Sequence, residues 1–319
     1  MNLLEVFGQI VVLLLSLGVL MISAKYVVEK AIRLAKFFRI SEFAIGFIFV
    51  SVLTSIPELS VAVVSSVNGN NNLSLGDLLG SNVTNIALIL GLCGFLGSRY
   101  KFRKDETNHM LLFLVLSLIP LILILDGQLN YTDGIIFLIL FVAFVYYVSS
   151  KKVTVNETEG ITKVEASKDF IIFVAGIGGV IISAGFVVES AVKIATMLGI
   201  FQSFLGATII ALGTSLPELA VNVVATSKRR THLALGNILG SCVTNLTLIL
   251  GINVILNPFI PNMEMVGPLI LFVVISTIVL GYVLWKRKEI RKEDGLILLG
   301  IYLLYLIIIS GVQVVKLSL

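Results

Sequence analysis

Apolar residues in this chain come in runs of about twenty, the length that carries a helix across a bilayer core. The runs lie near 4–24, 43–67, 73–97, 108–126, 132–150, 169–190, 202–226, 232–256, 265–285 and 294–314. They predict an all-α polytopic membrane protein with ten transmembrane helices. Composition agrees, since 57% of the 319 residues are hydrophobic and 13% charged, which excludes an ordinary soluble domain. The first run reads as a retained helix rather than a cleaved signal. Its leading MNLLEVF carries an acid and no base, and a counterpart recurs half a chain later.

The charges sort by side. Lys25 to Arg39, Arg99 to Lys104, Lys151 to Lys168, Lys228 to Arg230 and Lys286 to Lys292 hold every one of the 23 Lys and Arg except Lys193 and Lys316. With ten spans all these segments share one face, which the positive-inside rule makes cytoplasmic, so both termini lie outside. The formal charge of +4 is then a matter of orientation in a lipid bilayer. It points to no nucleic-acid partner, and no obligatory protein partner is evident. Cys93 and Cys242 fall inside predicted spans and read as small buried residues, not as a disulfide or redox pair.

The chain also repeats itself. A displacement of 160 residues sets Thr54-Ser-Ile-Pro-Glu-Leu59 on Thr214-Ser-Leu-Pro-Glu-Leu219, and LGDLLGSNVTNIALILG (75–91) on LGNILGSCVTNLTLILG (235–251). From Gly46 to Gly91 roughly half the positions are identical, too many for chance. Each half holds five spans, an odd number, so the second copy must enter the membrane from the opposite side. The uncharged NGNNN (68–72) against the basic KRRTH (228–232) fits that inversion. The expected organisation is two inverted five-helix repeats, residues 1–150 and 169–319, joined by a cytoplasmic linker at 151–168. Inverted repeats with broken polar helices mark secondary transporters that bind cargo near the midplane, between the repeats.

The repeated motifs carry chemistry suited to a cation. Pro57 and Pro217 remove a backbone donor and push aside the carbonyl one turn earlier, freeing oxygens near Leu53 and Thr54 and near Gly213 and Thr214. In hydrocarbon such groups cost several kcal/mol unless they face a cavity and bind something. Glu58 and Glu218 fall mid-span, where an ionised side chain normally marks a pathway or a partner, and no Lys or Arg shares their depth. Two such carboxylates repel unless a divalent cation or protons neutralise them. Ca2+ takes six to eight oxygens of this kind, whereas softer metals want the Cys, His or Met that the motif lacks. Asp77, Ser81 and Asn85 share one helical stripe, as do Asn237, Ser241 and Asn245. Gly76, Gly80, Gly236 and Gly240 read as close-packing contacts between helices. Ser81, Asn85, Ser241 and Asn245 read as site-lining, and Asp77 as a ligand, a proton acceptor or a helix cap. Glu29 and Glu189 also repeat, but nearer span ends, where pairing with a base or snorkelling is expected. His109 and His232 read as interfacial. GIGGV (176–180) follows no strand, and no GxxxxGK[ST] loop is present, which argues against an ATP-driven pump.

These residues, Thr54-Ser55-x-Pro57-Glu58 with Thr214-Ser215-x-Pro217-Glu218 and Gly76–Asn85 with Gly236–Asn245, resemble the two alpha-repeats of the calcium/cation antiporter superfamily, nearest its sodium/calcium exchanger-like branch. Proton/calcium members more often have Asn-x-x-Glu there. The resemblance implies a core of spans 2, 3, 7 and 8 around four cation sites, with long tilted spans 1 and 6 sliding across it. It implies that Glu58 and Glu218 bind Ca2+ with the carbonyls of Thr54 and Thr214. Ser55 and Ser81 with the Ser51 carbonyl then line one flanking Na+ site, and Ser215 and Ser241 with the Ala211 carbonyl line the other. Asn85 and Asn245 form the middle position. Members of this branch often have an Asp at one of the two positions that are Asn85 and Asn245 here, so the centre is expected to hold two formal charges. The expected function is Ca2+/Na+ antiport without a cofactor and without catalysis. The rivals are H+/Ca2+ exchange, an intramembrane enzyme using Glu58 and Glu218 as an acid/base pair, and a passive channel.

Overall fold

The computed structural model describes residues 3–97, 100–101, 104–150, 161–197 and 211–317. They form α1 (Leu3–Phe38), α2 (Glu42–Thr54), α3 (Ile56–Val67), α4 (Asn71–Leu96), α5 (Lys104–Leu116), α6 (Ile119–Ile124) and α7 (Tyr131–Ser149). Then come α8 (Lys163–Met197), which begins inside the expected linker 151–168, α9 (Ala211–Thr214), α10 (Leu216–Ser227), α11 (Thr231–Leu256), α12 (Met263–Arg287) and α13 (Lys292–Leu317). Two two-residue strands, Tyr100–Lys101 and Glu289–Ile290, pair antiparallel. Among the described residues six helices are long and apolar enough to cross a membrane, or seven if the bent pair α2 and α3 counts as one span. The protein is thus a mainly helical, multi-pass integral membrane protein. Residues 202–210 of the predicted span 202–226 lie outside the described residues.

Several boundaries differ from expectation for local reasons. The predicted runs 4–24 and 169–190 extend into helices of 36 and 35 residues, roughly 50 Å each at 1.5 Å per residue. Residues 25–38 hold no Gly or Pro to stop α1, which ends where Arg39 turns left-handed at φ 55°. The predicted run 108–126 is broken after Leu116, and Pro120 opens the next short helix α6.

The displacement of 160 seen in the sequence is kept residue for residue. Ile56–Val67 matches Leu216–Ser227, Asn71–Val83 matches Thr231–Val243, and the π-helical turns Thr84–Ile89 and Thr244–Ile249 match each other. The predicted close packing at glycine is present in the second copy. A Cβ on Gly240 would lie 2.6 Å from both the Phe47 carbonyl and the Ser51 hydroxyl, and one on Gly236 would strike the Phe43 carbonyl, so α11 meets α2 backbone to backbone. In the first copy Gly76 and Gly80 face the side chains of Leu269 and Tyr305.

Ion pairs gather around the segments that carry the basic clusters. Lys228 meets Glu29 at 2.5 Å, Arg230 meets Glu42 at 2.9 Å, and Lys30 and Arg33 grip Asp169 at 2.7 and 2.5 Å. Glu189 pairs with Lys193 at 2.6 Å, so both repeated outer glutamates meet a base, as expected. The turn at 68–72 is stitched instead by neutral groups. Asn72 Oδ1 accepts from the Asn262 N–H at 2.7 Å, and the Asn71 amide donates to the Asn257 carbonyl.

Candidate cation site

Each copied Thr-Ser-x-Pro-Glu sits where a helix stops and restarts. At Ser55 the backbone leaves the helix at φ −83°, ψ 14°, α3 resumes with Pro57 in its first turn, and the two pieces meet at 45°. Ser215 does the same at φ −86°, ψ 2° ahead of Pro217. A proline is tolerated in a first turn because that N–H has no partner in the helix anyway. The break sets Glu58 and Glu218 in the opening turns of α3 and α10, where each carboxylate faces its own backbone N–H.

Both glutamates are 1% exposed. The Ser55 hydroxyl donates to Glu218 Oε1 at 3.1 Å, so the first copy's serine serves the second copy's acid. Ser81 donates to Glu58 Oε1 at 3.4 Å, and Ser215 donates to Ser81 at 3.2 Å. The flanking groups expected from the resemblance joined Ser55 with Ser81 and Ser215 with Ser241. The structure instead links Ser81 to Ser215, and it brings Thr54, Ser55 and Ser241 to Glu218. The bonds cross between the copies, each broken helix lying against the other copy's stripe. Ser51 is fully buried, its hydroxyl returned to the Phe47 carbonyl. Thr54 and Thr214 each face an α4 or α11 residue of the other copy, Asn237 at 3.5 Å and Asp77 at 3.3 Å.

The second oxygens of Glu58 and Glu218, one oxygen of Asp77 and the side-chain oxygens of Asn85 and Asn245 are buried without a protein partner. Glu218 and Asp77 lie close enough to Glu58 to act on its charge. None of the ion pairs among the described residues reaches these groups. Buried, mutually repelling, incompletely bonded acids of this kind are chemically suited to a hard cation. No three of His, Cys, Asp and Glu cluster as a conventional metal centre among the described residues, so the donor set is completed by hydroxyl, amide and carbonyl oxygens. Asn85 and Asn245 both sit in π-helical turns, a feature frequent at functional sites.

Sequence reasoning overlooked two amides. Asn82 donates to the Cys242 carbonyl at 3.3 Å and accepts from the Asn245 amide at 3.2 Å. Since residue 82 and residue 242 are 160 apart, this contact joins equivalent positions of the two copies. Asn222, fully buried, donates to the Glu218 carbonyl at 2.8 Å and leaves its own oxygen unpartnered. The available signal was an amide mid-span four residues after Glu218, opposite Ala62 in the first copy. For Ala211 the structure describes the backbone in α9 alone.

A profile of the sodium/calcium exchanger protein family matches residues 8–150 and 168–311. The sodium/calcium exchanger MaX1 of Methanosarcina acetivorans is 28% identical, over 93% of this chain and 97% of its own length. The inner membrane protein YrbG of Escherichia coli is 30% identical, over 92% and 94%. Among solved structures, the sodium-calcium exchanger NCX_Mj soaked with 10 mM Na+ and 10 mM Sr2+ superposes with a TM-score of 0.82 at 26% identity, covering 94% of this chain and 97% of that one.

Proposed function

Since the chain belongs to the sodium/calcium exchanger protein family, we propose that it is a secondary antiporter that trades Ca2+ for Na+ by alternating access at the paired glutamates. Under this reading residues 1–150 and 169–319 are inverted repeats of five spans each, ten in all, joined by the cytoplasmic stretch 151–168. By the positive-inside rule the basic segments would face the cytoplasm and both termini would lie outside.

One observation carries the proposal: each glutamate is buried, takes a serine hydroxyl on one oxygen, and has its other oxygen unpartnered. Ca2+ would bridge Glu58 and Glu218 with the carbonyls of Thr54 and Thr214, Na+ would use Ser51, Ser55 and Ser241 on one flank and Ser81, Ser215 and Ala211 on the other, and Asn85 and Asn245 would hold the middle. The two ions compete for the same carboxylates. An empty carrier is left with a repelling pair in low dielectric, which disfavours its crossing and couples the two fluxes. Paired hydroxyl and amide ligands in both copies fit a carrier better than an enzyme, whose acid and base need unlike surroundings.

The test is 45Ca2+ uptake into proteoliposomes loaded with Na+, or with choline under an imposed pH gradient, for the wild type and Glu58→Gln. Uptake that needs internal Na+ and falls at least about a hundredfold in the variant is the expected result. Uptake driven by the pH gradient alone would turn the reading to proton exchange, with amides at 85 and 245 as its physical basis.

A further inference from the structure

The two copies differ along the stripe that leads from a helix start to the glutamates. In α4 the stripe runs Ser74, Asp77, Ser81, Asn85. In α11 the matching positions are Ala234, Asn237, Ser241, Asn245. The inner two steps are alike in kind, whereas the outer two are polar and acidic in one copy, apolar and neutral in the other.

The outer part of the first stripe is also surrounded by unbonded polar atoms. Ser74 is fully buried and its hydroxyl has no protein partner. Asn253, on the part of α11 that packs against the end of α3 and the start of α4, is fully buried with both amide atoms unpartnered. Asn71 is 2% exposed, and its oxygen is unpartnered although its nitrogen reaches the Asn257 carbonyl. The backbone around them is firmly placed, since Ser66 donates to the Asn253 carbonyl at 3.4 Å and Asn257 donates to the Ser66 carbonyl at 3.3 Å. Asp77 lies one turn deeper, held on one oxygen by Thr214 and open on the other. Each such orphan is a penalty when left dry, one that a purely structural role does not explain. The equivalents of Asn253 and Ser74 in the other copy are Cys93 and Ala234, which carry neither an amide nor a hydroxyl.

We propose that Asn71, Ser74, Asp77 and Asn253 form an outer station for a hard cation on the side of the 68–72 turn, from which the ion passes to Glu58 and Glu218. This rests on the exchange reading above. It adds that the two faces of the carrier are unequal, with one carboxylate-bearing waiting site on the face where the 68–72 turn lies. The ligands are oxygens of an acid, a hydroxyl and amides, a set that takes Ca2+ or Na+ and offers nothing to a soft metal.

The experiment compares Na+-coupled 45Ca2+ uptake in right-side-out and everted membrane vesicles, giving the half-saturating Ca2+ concentration at each face. Wild type should be half-saturated at lower Ca2+ on the 68–72 face. In Asp77→Asn the ratio between the two faces should shift about tenfold toward equality, and in Asn237→Asp it should shift the same way because the second face gains the acid. A ratio unmoved in both variants, with each running as a monodisperse peak, overturns the station. If wild type shows no Na+-coupled uptake at either face, the exchange reading falls separately. Equilibrium 45Ca2+ binding to purified Glu58→Gln protein then decides the station, which predicts residual binding that Asp77→Asn removes and is overturned if Asp77→Asn changes nothing.

Discussion

The motif-bearing helices and the two long helices solve opposite problems. In the most apolar stretch of α4 and of α11, 83% of the residues are buried inside the protein, against 11% for α1 and 33% for α8. The long helices are nevertheless the more apolar of the two sets. In water that ordering would be reversed, but lipid is itself an apolar solvent, so a greasy helix gains little by being covered and a polar one must be. What holds the centre together is accordingly glycine contact, serine–carboxylate and amide–carbonyl bonding. Along the long pair the recurring contact is apolar, with Leu20, Val27 and Ala31 of α1 in one cluster with Phe173, Ile177 and Val180 of α8. That cluster also takes in Val50, Val221 and Leu233 of the motif-bearing helices, and on the exchange reading proposed above α1 and α8 are the body that moves against this frame.

The largest effect should come from tying these two bodies together. A Cβ on Gly213 of the frame would lie 3.5 Å from the Cβ of Val188 on α8, within the span of a disulfide. Oxidised Val188→Cys/Gly213→Cys should lose Na+-coupled Ca2+ uptake and regain it on reduction. A cross-link within the long pair, Ser23→Cys/Gly179→Cys, where the Cβ separation of 3.2 Å has only to widen slightly to reach the disulfide range, should leave uptake within about twofold. Native Cys93 and Cys242 are both buried and offer little competition. Uptake that survives the first link, or vanishes with the second, would mean that the long pair is not a body of its own.

Next in size is damage to the frame. Gly240→Ala puts a methyl 2.6 Å from a backbone carbonyl that cannot rotate away, so α2 and α11 must separate. Overpacking of this kind costs about 1–3 kcal/mol, with backbone contact at the upper end. The expected readout is a drop of several degrees in apparent melting temperature in detergent, together with weaker Ca2+ binding, because Ser51 and Asn237 ride on the two helices being forced apart.

How much of this could be read from residues alone follows from the same physics. The apolar runs, the displacement of 160 and the acids of Glu58 and Glu218 were legible because each is a local pattern. The glycine contacts at Gly236 and Gly240 were legible as a small-xxx-small motif, though not their partner. The crossing of Ser81 to Ser215 was not, since which serine serves which acid is decided by how one copy lies on the other. The apolar runs alone understate α1, because its basic second half reads as a loop when only such runs are counted although nothing there interrupts a helix; the family resemblance, with its long spans 1 and 6, implied the longer helix. Asn82 escaped because its role depends on meeting its own counterpart position, Cys242, across the repeat interface.

The smallest effect sharpens the comparison by its absence. A Cβ on Gly178 of α8 meets nothing within 4 Å, while one on Gly179 would lie 2.6 Å from the Ser23 hydroxyl. Adjacent glycines on one helix therefore face open space and α1 respectively. Gly178→Ala should leave thermal stability within about 0.5 kcal/mol of wild type or slightly higher, since alanine is the better helix former and the new methyl enters an apolar solvent. Gly179→Ala must move Ser23, the tip of a side chain that can turn, and should cost more than its neighbour and less than Gly240→Ala, whose obstacle is backbone. If Gly178→Ala were the costlier of the two, the face of α8 taken to meet lipid would have to be packed against protein, and the long pair could not be the loosely held body that the burial contrast describes.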